Sequence, residues 1–123
     1  MLVKVAELIG PALDWAVAKC EGRAENGVYS EPVLRNEQLH IHYCGVVLDS
    51  PWCPTTNWTQ GGPIVDKNPR ISPTYDERFD SWFAYKQSPA LYGKQSFLVS
   101  AMRAYVASKL DTEIEIPNSL FKG

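Results

Sequence analysis

Seven ring-closed or side-chain-less residues fall within 23 positions of the middle of this chain: Pro51, Pro54, Gly61, Gly62, Pro63, Pro69 and Pro73. Each proline fixes φ and removes a backbone donor, and each glycine weakens whatever regular element contains it. The pattern predicts a long Pro/Gly-rich loop, so that helices and strands must come from its two flanks. A loop of that length in a small domain is functional or wrapped on the core. This one carries Trp52 and Trp58 and is too apolar for a linker.

The flanks supply the core. The chain has 123 residues and 45% apolar composition, enough for one domain that buries roughly two thirds of its unfolded surface. Residues 2–8 read as a first strand. Gly10-Pro11 opens a helix over 11–20, with Pro11 at its first position and Asp14 in its first turn. Ala12, Leu13, Trp15, Ala16, Val17 and Ala18 surround that helix on all sides, which predicts a buried element with Trp15 in the core. Gly22 suits its end.

Residues 23–38 read as a loop with a short strand at Val28-Tyr29. In a strand over 38–48, Leu39, Ile41 and Tyr43 share one face and His40, His42 and Cys44 the other. Further strands are predicted at Ile64-Val65 and over 80–85. Ser96 caps a helix over 97–109, whose apolar positions Leu98, Ala101, Met102, Tyr105 and Val106 recur at helical spacing. Residues 112–116 alternate, with Ile114 and Ile116 on one side, and stop at Pro117. The expected fold is α+β: a single compact domain with two main helices, about 11–20 and 97–109, on a small sheet of short strands.

Net charge is −2 and the pI about 5.6, which makes duplex DNA an unlikely partner. No apolar run reaches the ~20 residues of a membrane span. Lys4 and Glu7 interrupt the first residues, which do not read as a signal peptide. Cys20, Cys44 and Cys53 form an odd set, and reduced thiols in a cytoplasm are expected.

Three constellations could carry chemistry. His40, His42 and Cys44 on one strand face, with Cys53 beyond, could chelate a metal, although the Cys-x-x-Cys spacing of closed sites is absent. Same-face neighbours are ~6–7 Å apart, too loose for a Cys–His nucleophile pair. Asp76, Glu77 and Asp80 surround Arg78 and read as a solvated turn. Gly61-Gly62-Pro63 lacks the pattern of a phosphate loop and reads as a tight turn, capped by Asn57, that holds Trp58 rigid. Trp58 is then a lid on the first helix or a stacking wall.

The feature left to carry function is an aromatic concentration on loops. Trp52, Trp58, Trp82, Phe83, Tyr85 and Tyr92 are interleaved with Lys67, Arg70, Arg78, Lys86 and Lys94. The mixture suits a nucleotide or single-stranded nucleic acid, and equally a protein interface. The expected ligand-binding set is Trp52, Asn57, Trp58, Gly61, Gly62, Arg70 and Trp82. No catalytic group and no cofactor are indicated.

Three segments resemble the NinX-like phage family. They are the opening helix Leu13-Asp14-Trp15-Ala16-Val17-Ala18-Lys19-Cys20-Glu21-Gly22, the middle run Pro54-Thr55-Thr56-Asn57-Trp58-Thr59-Gln60-Gly61-Gly62-Pro63-Ile64, and the closing Ala101-Met102-Arg103-Ala104-Tyr105-Val106-Ala107-Ser108-Lys109-Leu110. The resemblance implies a single domain over 1–123 and an accessory protein of tailed phages and prophages, placed in the bacterial host cytoplasm. It implies no activity. The expected function is counter-defence or host modulation by stoichiometric binding, the partner being a nucleotide-type small molecule or a host protein. A homo-oligomer stays open. The alternatives are a small metal-dependent enzyme built on His40, His42 and Cys44, and a recombination accessory that binds single-stranded nucleic acid, against which the acidic pI argues.

Overall fold

The structure, a computed structural model, describes residues 2–21, 29–36, 38–43, 46–47, 50–84, 87, 95–117 and 120, with the backbone alone at 29–33, 42–43 and 46–47. Among these residues it is an α+β arrangement of three helices and short antiparallel strands.

The first and last of the described strands are clasped together. Strand β1 (Leu2–Lys4) pairs antiparallel with the last strand, Glu113–Glu115, with Val3 opposite Ile114. The expected first strand thus ends early: a 3-10 turn, Val5–Glu7, follows and buries Val5. Gly10 begins helix α1 (Gly10–Cys20) at φ +58°, a conformation that costs glycine little. Seven consecutive residues of α1, Ala12 to Ala18, are buried, as an apolar-all-round sequence requires. Gly22 lies outside the described residues.

Strands β2 (Tyr29–Arg35), β3 (Gln38–Tyr43) and β4 (Val46–Val47) form one antiparallel sheet, with Leu34 opposite Leu39. Val28 falls outside the described residues, while the strand read there runs on to Arg35. The single strand expected over 38–48 is two. Leu39 and Ile41 are buried as predicted, but His40, placed on the outer face by alternation, is buried too at 6% exposure.

The main departure lies in the Pro/Gly-rich stretch. Residues Trp58–Lys67 form helix α2, where a turn and then a strand at Ile64-Val65 were expected. Two glycines and an interior proline disfavour a helix by roughly 5 kcal/mol relative to alanines. Packing overrides that bias. Asn57 is the N-cap rather than a turn cap, its side-chain oxygen accepting from Thr59 N–H at 2.9 Å. Ile64 is buried, and Gly61 is pressed against the Pro54 carbonyl and Leu98. A Cβ at Gly61 would stand 2.3 Å from the Pro54 oxygen, so this glycine serves close approach and not a turn.

A 3-10 turn (Pro69–Ile71) leads to the hairpin of β5 (Thr74–Asp76) and β6 (Ser81–Phe83), in which Tyr75 faces Trp82. Helix α3 (Phe97–Lys109) follows, with Ser96 Oγ accepting from Val99 N–H at 3.2 Å, the cap expected from sequence. It packs on α1, α2 and β6. The last strand, Glu113–Glu115, is β7. Ile114 and Ile116 are both buried.

Candidate binding face

Four aromatic rings from four elements form one continuous run at the surface. Trp58 opens α2 and Phe97 opens α3, and their ring centroids lie 5.0 Å apart at 32°. Trp82 on β6 meets the same Phe97 edge-on at 5.1 Å and 74°. Its cross-strand partner Tyr75 lies 5.3 Å further on. Trp58 is 58% exposed and Tyr75 41%, while Phe97 and Trp82 are half-buried. Beside Trp58 and Phe97 a pocket of about 250 Å³ is bounded by Thr55, Thr56 and Leu98. On the opposite face of the hairpin, Phe79 and Phe83 pair edge-to-face at 6.4 Å.

The run is held from behind by hydrogen bonds. Gln95 bonds the Trp82 backbone twice, accepting at its own carbonyl from Trp82 N–H (3.2 Å) and donating from Nε2 to Trp82 O (2.9 Å). Buried Arg103 then donates to Gln95 Oε1 and to the Leu8 carbonyl, both at 2.9 Å. The Trp58 end is fixed through residues 51–57. Gln60 donates from Nε2 to Pro51 O (2.8 Å) and accepts Cys53 N–H on Oε1 (2.7 Å). Thr55 donates to buried Asp14 of α1 from its backbone and its hydroxyl.

Among the described residues, the charge beside the run is acidic. The hairpin turn carries Asp76, Glu77 and Asp80 against Arg78. Arg78 is committed to Asp76, with Nη2–Oδ2 at 2.9 Å and Nε–Oδ1 at 3.2 Å. The Arg78 hydrogen bond lowers the Asp76 pKa and, reciprocally, Asp76 raises that of Arg78. The Tyr75 hydroxyl donates to Asp80, which raises the tyrosine's pKa.

The residues expected to form a site divide accordingly. Asn57, Trp58, Gly62 and Trp82 belong to the run or its support, and Gly61 seats α2. Trp52 is not a surface aromatic: it is 6% exposed, and its Nε1–H donates to the Asp14 carbonyl at 2.9 Å. Trp58 packs on Phe97, not as a lid on α1. Arg70 lies beyond the far end of α2, about 15 Å along a ten-residue helix from Trp58. There it lines a groove with Lys67 and Lys109. Lys86, Lys94, Tyr85 and Tyr92 lie outside the described residues.

Of the metal candidates, His40 is buried and Cys53 half-buried, while Cys44 and the His42 side chain lie outside the described residues. The sequence reading missed Phe97, which helical spacing assigns to the core, and Tyr75, whose place beside Trp82 depends on the hairpin register. It also missed Asp14 as a buried carboxyl: a helix over 11–20 puts it in the first turn, where an acid faces water, whereas α1 begins at Gly10 and Asp14 falls in its second turn.

These features sit on a chain whose family is clear. The family model described as Bacteriophage P22, NinX matches residues 4–109 of 123, and the chain belongs to that family. The match covers α1, α2, the aromatic run and α3 to its last residue. No curated protein matches the chain. Among the described residues, no helix is long and apolar enough to cross a membrane.

Proposed function

We propose that the protein is a phage accessory factor that binds a host protein stoichiometrically through the run Tyr75–Trp82–Phe97–Trp58. The observation that carries this reading is the run itself: four contacting rings, backed by buried hydrogen bonds, two of them (Trp58 and Tyr75) exposed. Trp and Tyr are favoured anchors of protein interfaces, and a rigid backing lowers the ordering cost of binding. Charge complementarity selects the partner's chemistry. Asp76, Glu77 and Asp80 border the rings, so a segment bearing arginine or lysine fits, its cations stacking on ring faces. A nucleotide is favoured less there, because the hairpin turn carries three carboxylates (Asp76, Glu77, Asp80) against the one guanidinium of Arg78, and Arg70 lies at the other end of α2. The action is read as non-catalytic, since Asp76 and Asp80 are held by Arg78 and Tyr75. Family membership supports a partner in the host cell, with modulation of the host or its defences as the outcome.

Native mass spectrometry of protein purified from infected cells tests the reading. The expected result is a complex with one host protein that dissociates with rising salt and is lost in Trp58→Ala and Trp82→Ala. A bound nucleotide in place of a protein, or a complex indifferent to both substitutions, would overturn it.

A further inference from the structure

The basic residues parted from the aromatic run are themselves gathered. The groove between the C-terminal ends of α2 and α3, about 560 Å³ in volume, is lined by Lys67, Asn68, Arg70, Ile71, Ser108 and Lys109, among others. That volume lies within the ~300–1,000 Å³ of small-molecule sites. Lys67 and Lys109 are the last residues of their helices and Arg70 ends no long helix, following α2 in a short turn. All three are exposed, and among the described residues no carboxylate lines the groove.

Cations near helix C-termini have an ordinary explanation, the offsetting of the helix dipoles. Its size can be compared with the charge present. Two helix ends present roughly half a negative charge each, about one in total. Three cations stand against that, Lys109 with its Nζ 5.9 Å from the Tyr105 ring centre, leaving a surplus near +2 in a protein whose net charge is −2. The other polar side chains are already committed. Asn68 Nδ2 donates to Ile64 O at 2.7 Å, and Ser108 Oγ donates to Tyr105 O at 2.8 Å. The donors the groove offers are thus ammonium and guanidinium groups, which select multivalent oxyanions. No aromatic ring lines it, so nothing there can stack on a base.

We infer that this groove is an anion site for the oligophosphate of a small molecule, one that engages the phosphates and leaves any attached base unread. It is independent of the aromatic run and of the partner proposed for it.

The test is a titration of the full chain, followed by two-dimensional NMR at constant ionic strength, with inorganic tripolyphosphate, ATP and CTP as probes. All three are expected to shift the same resonances around Arg70 and Lys109 with similar affinity, and monophosphate to bind far more weakly. Arg70→Glu should weaken tripolyphosphate by about tenfold or more, the equivalent of losing one charge-assisted contact. Trp58→Ala should leave it unchanged, which separates this site from the proposed protein interface. Lys67→Glu repeats the charge reversal should Arg70→Glu disturb the fold. Failure of tripolyphosphate to bind at millimolar concentration, a preference for one base, or binding indifferent to both reversals would overturn the inference. So would a single-stranded oligonucleotide that tripolyphosphate does not displace.

Discussion

Thr55 donates both its backbone N–H, at 3.1 Å, and its hydroxyl, at 2.9 Å, to one carboxylate oxygen of Asp14, 41 residues earlier in the chain. The pair ties α1 to the segment that delivers Trp58. Both hydrogen bonds favour the charged carboxylate, yet burial outweighs them and pushes the Asp14 pKa up to about 6. The tie is therefore made by a group that folding prefers to keep protonated.

The pH dependence of stability follows from that sign. A carboxyl raised from 3.8 to about 6 contributes stability that is fully present below 3.8 and lost as pH rises through 6. The contribution is about 3 kcal/mol by the usual conversion. Asp14→Asn keeps an oxygen for Thr55 and does not titrate. Denaturant melts at steps between pH 4 and 7 should show the wild type losing stability relative to this variant across that range. Parallel curves would mean that Asp14 is not raised in the folded protein.

Adjacent glycines of α2 should respond to alanine with opposite signs. At Gly61 the added Cβ meets the Pro54 carbonyl oxygen at 2.3 Å and Leu98 Cδ2 at 2.9 Å, and backbone cannot yield cheaply. Gly61→Ala should cost on the order of 1–3 kcal/mol or more, as overpacking does. At Gly62 the nearest atom is Trp58 Cε3 at 3.9 Å, an ordinary contact. Gly62→Ala should stabilise by roughly 0.5–1 kcal/mol through helix propensity alone. Thermal melts of the two single variants decide it, and equal effects would refute the packing role of Gly61.

Trp15 is 5% exposed in the middle of α1, with Lys19 Nζ 5.5 Å from its ring centre. Trp15→Ala should cost on the order of 3–5 kcal/mol, as deletion of a buried aromatic does. An equilibrium unfolding curve showing a loss below about 1 kcal/mol would contradict the burial of this face of α1.

What the sequence displayed, and what it hid, divides by how local the cause is. Helices α1 and α3 were legible because periodicity, Pro11 and the Ser96 cap all act within one turn. Helix α2 was not, because Gly61, Gly62 and Pro63 argue against a helix locally. The reason for Gly61 lies at Pro54 and at Leu98, the latter 37 positions away, a contact no window can see. His40 misled in the same way: alternation along β3 assumes one wet face, and this strand buries residues of both. The candidate site was half legible. Trp58 and Trp82 were singled out as aromatics, but Phe97, which joins them, carries a helix-core signature. Arg70 was grouped with Trp58 by nearness in sequence, and an intervening helix separates them.

Trp58 distinguishes a structural from a binding role for the run. Its ring is 58% exposed and, among the described residues, its ring contact is with Phe97. Truncating so open a side chain removes little buried surface, so Trp58→Ala should lower stability by about 1 kcal/mol or less, far below the loss at Trp15. Trp82 is half-buried and in edge-on contact with both Tyr75 and Phe97, and its removal should fall between the two. Binding should rank these residues differently. An exposed, pre-positioned anchor is worth roughly 2 kcal/mol or more when truncated, whereas its folding cost stays small. Chemical denaturation beside quantitative partner retention, for Trp58→Ala and Trp82→Ala in parallel, resolves the two orders. A Trp58→Ala protein that unfolds as readily as Trp15→Ala, yet still retains its partner, would make the run a piece of the core and not an interface.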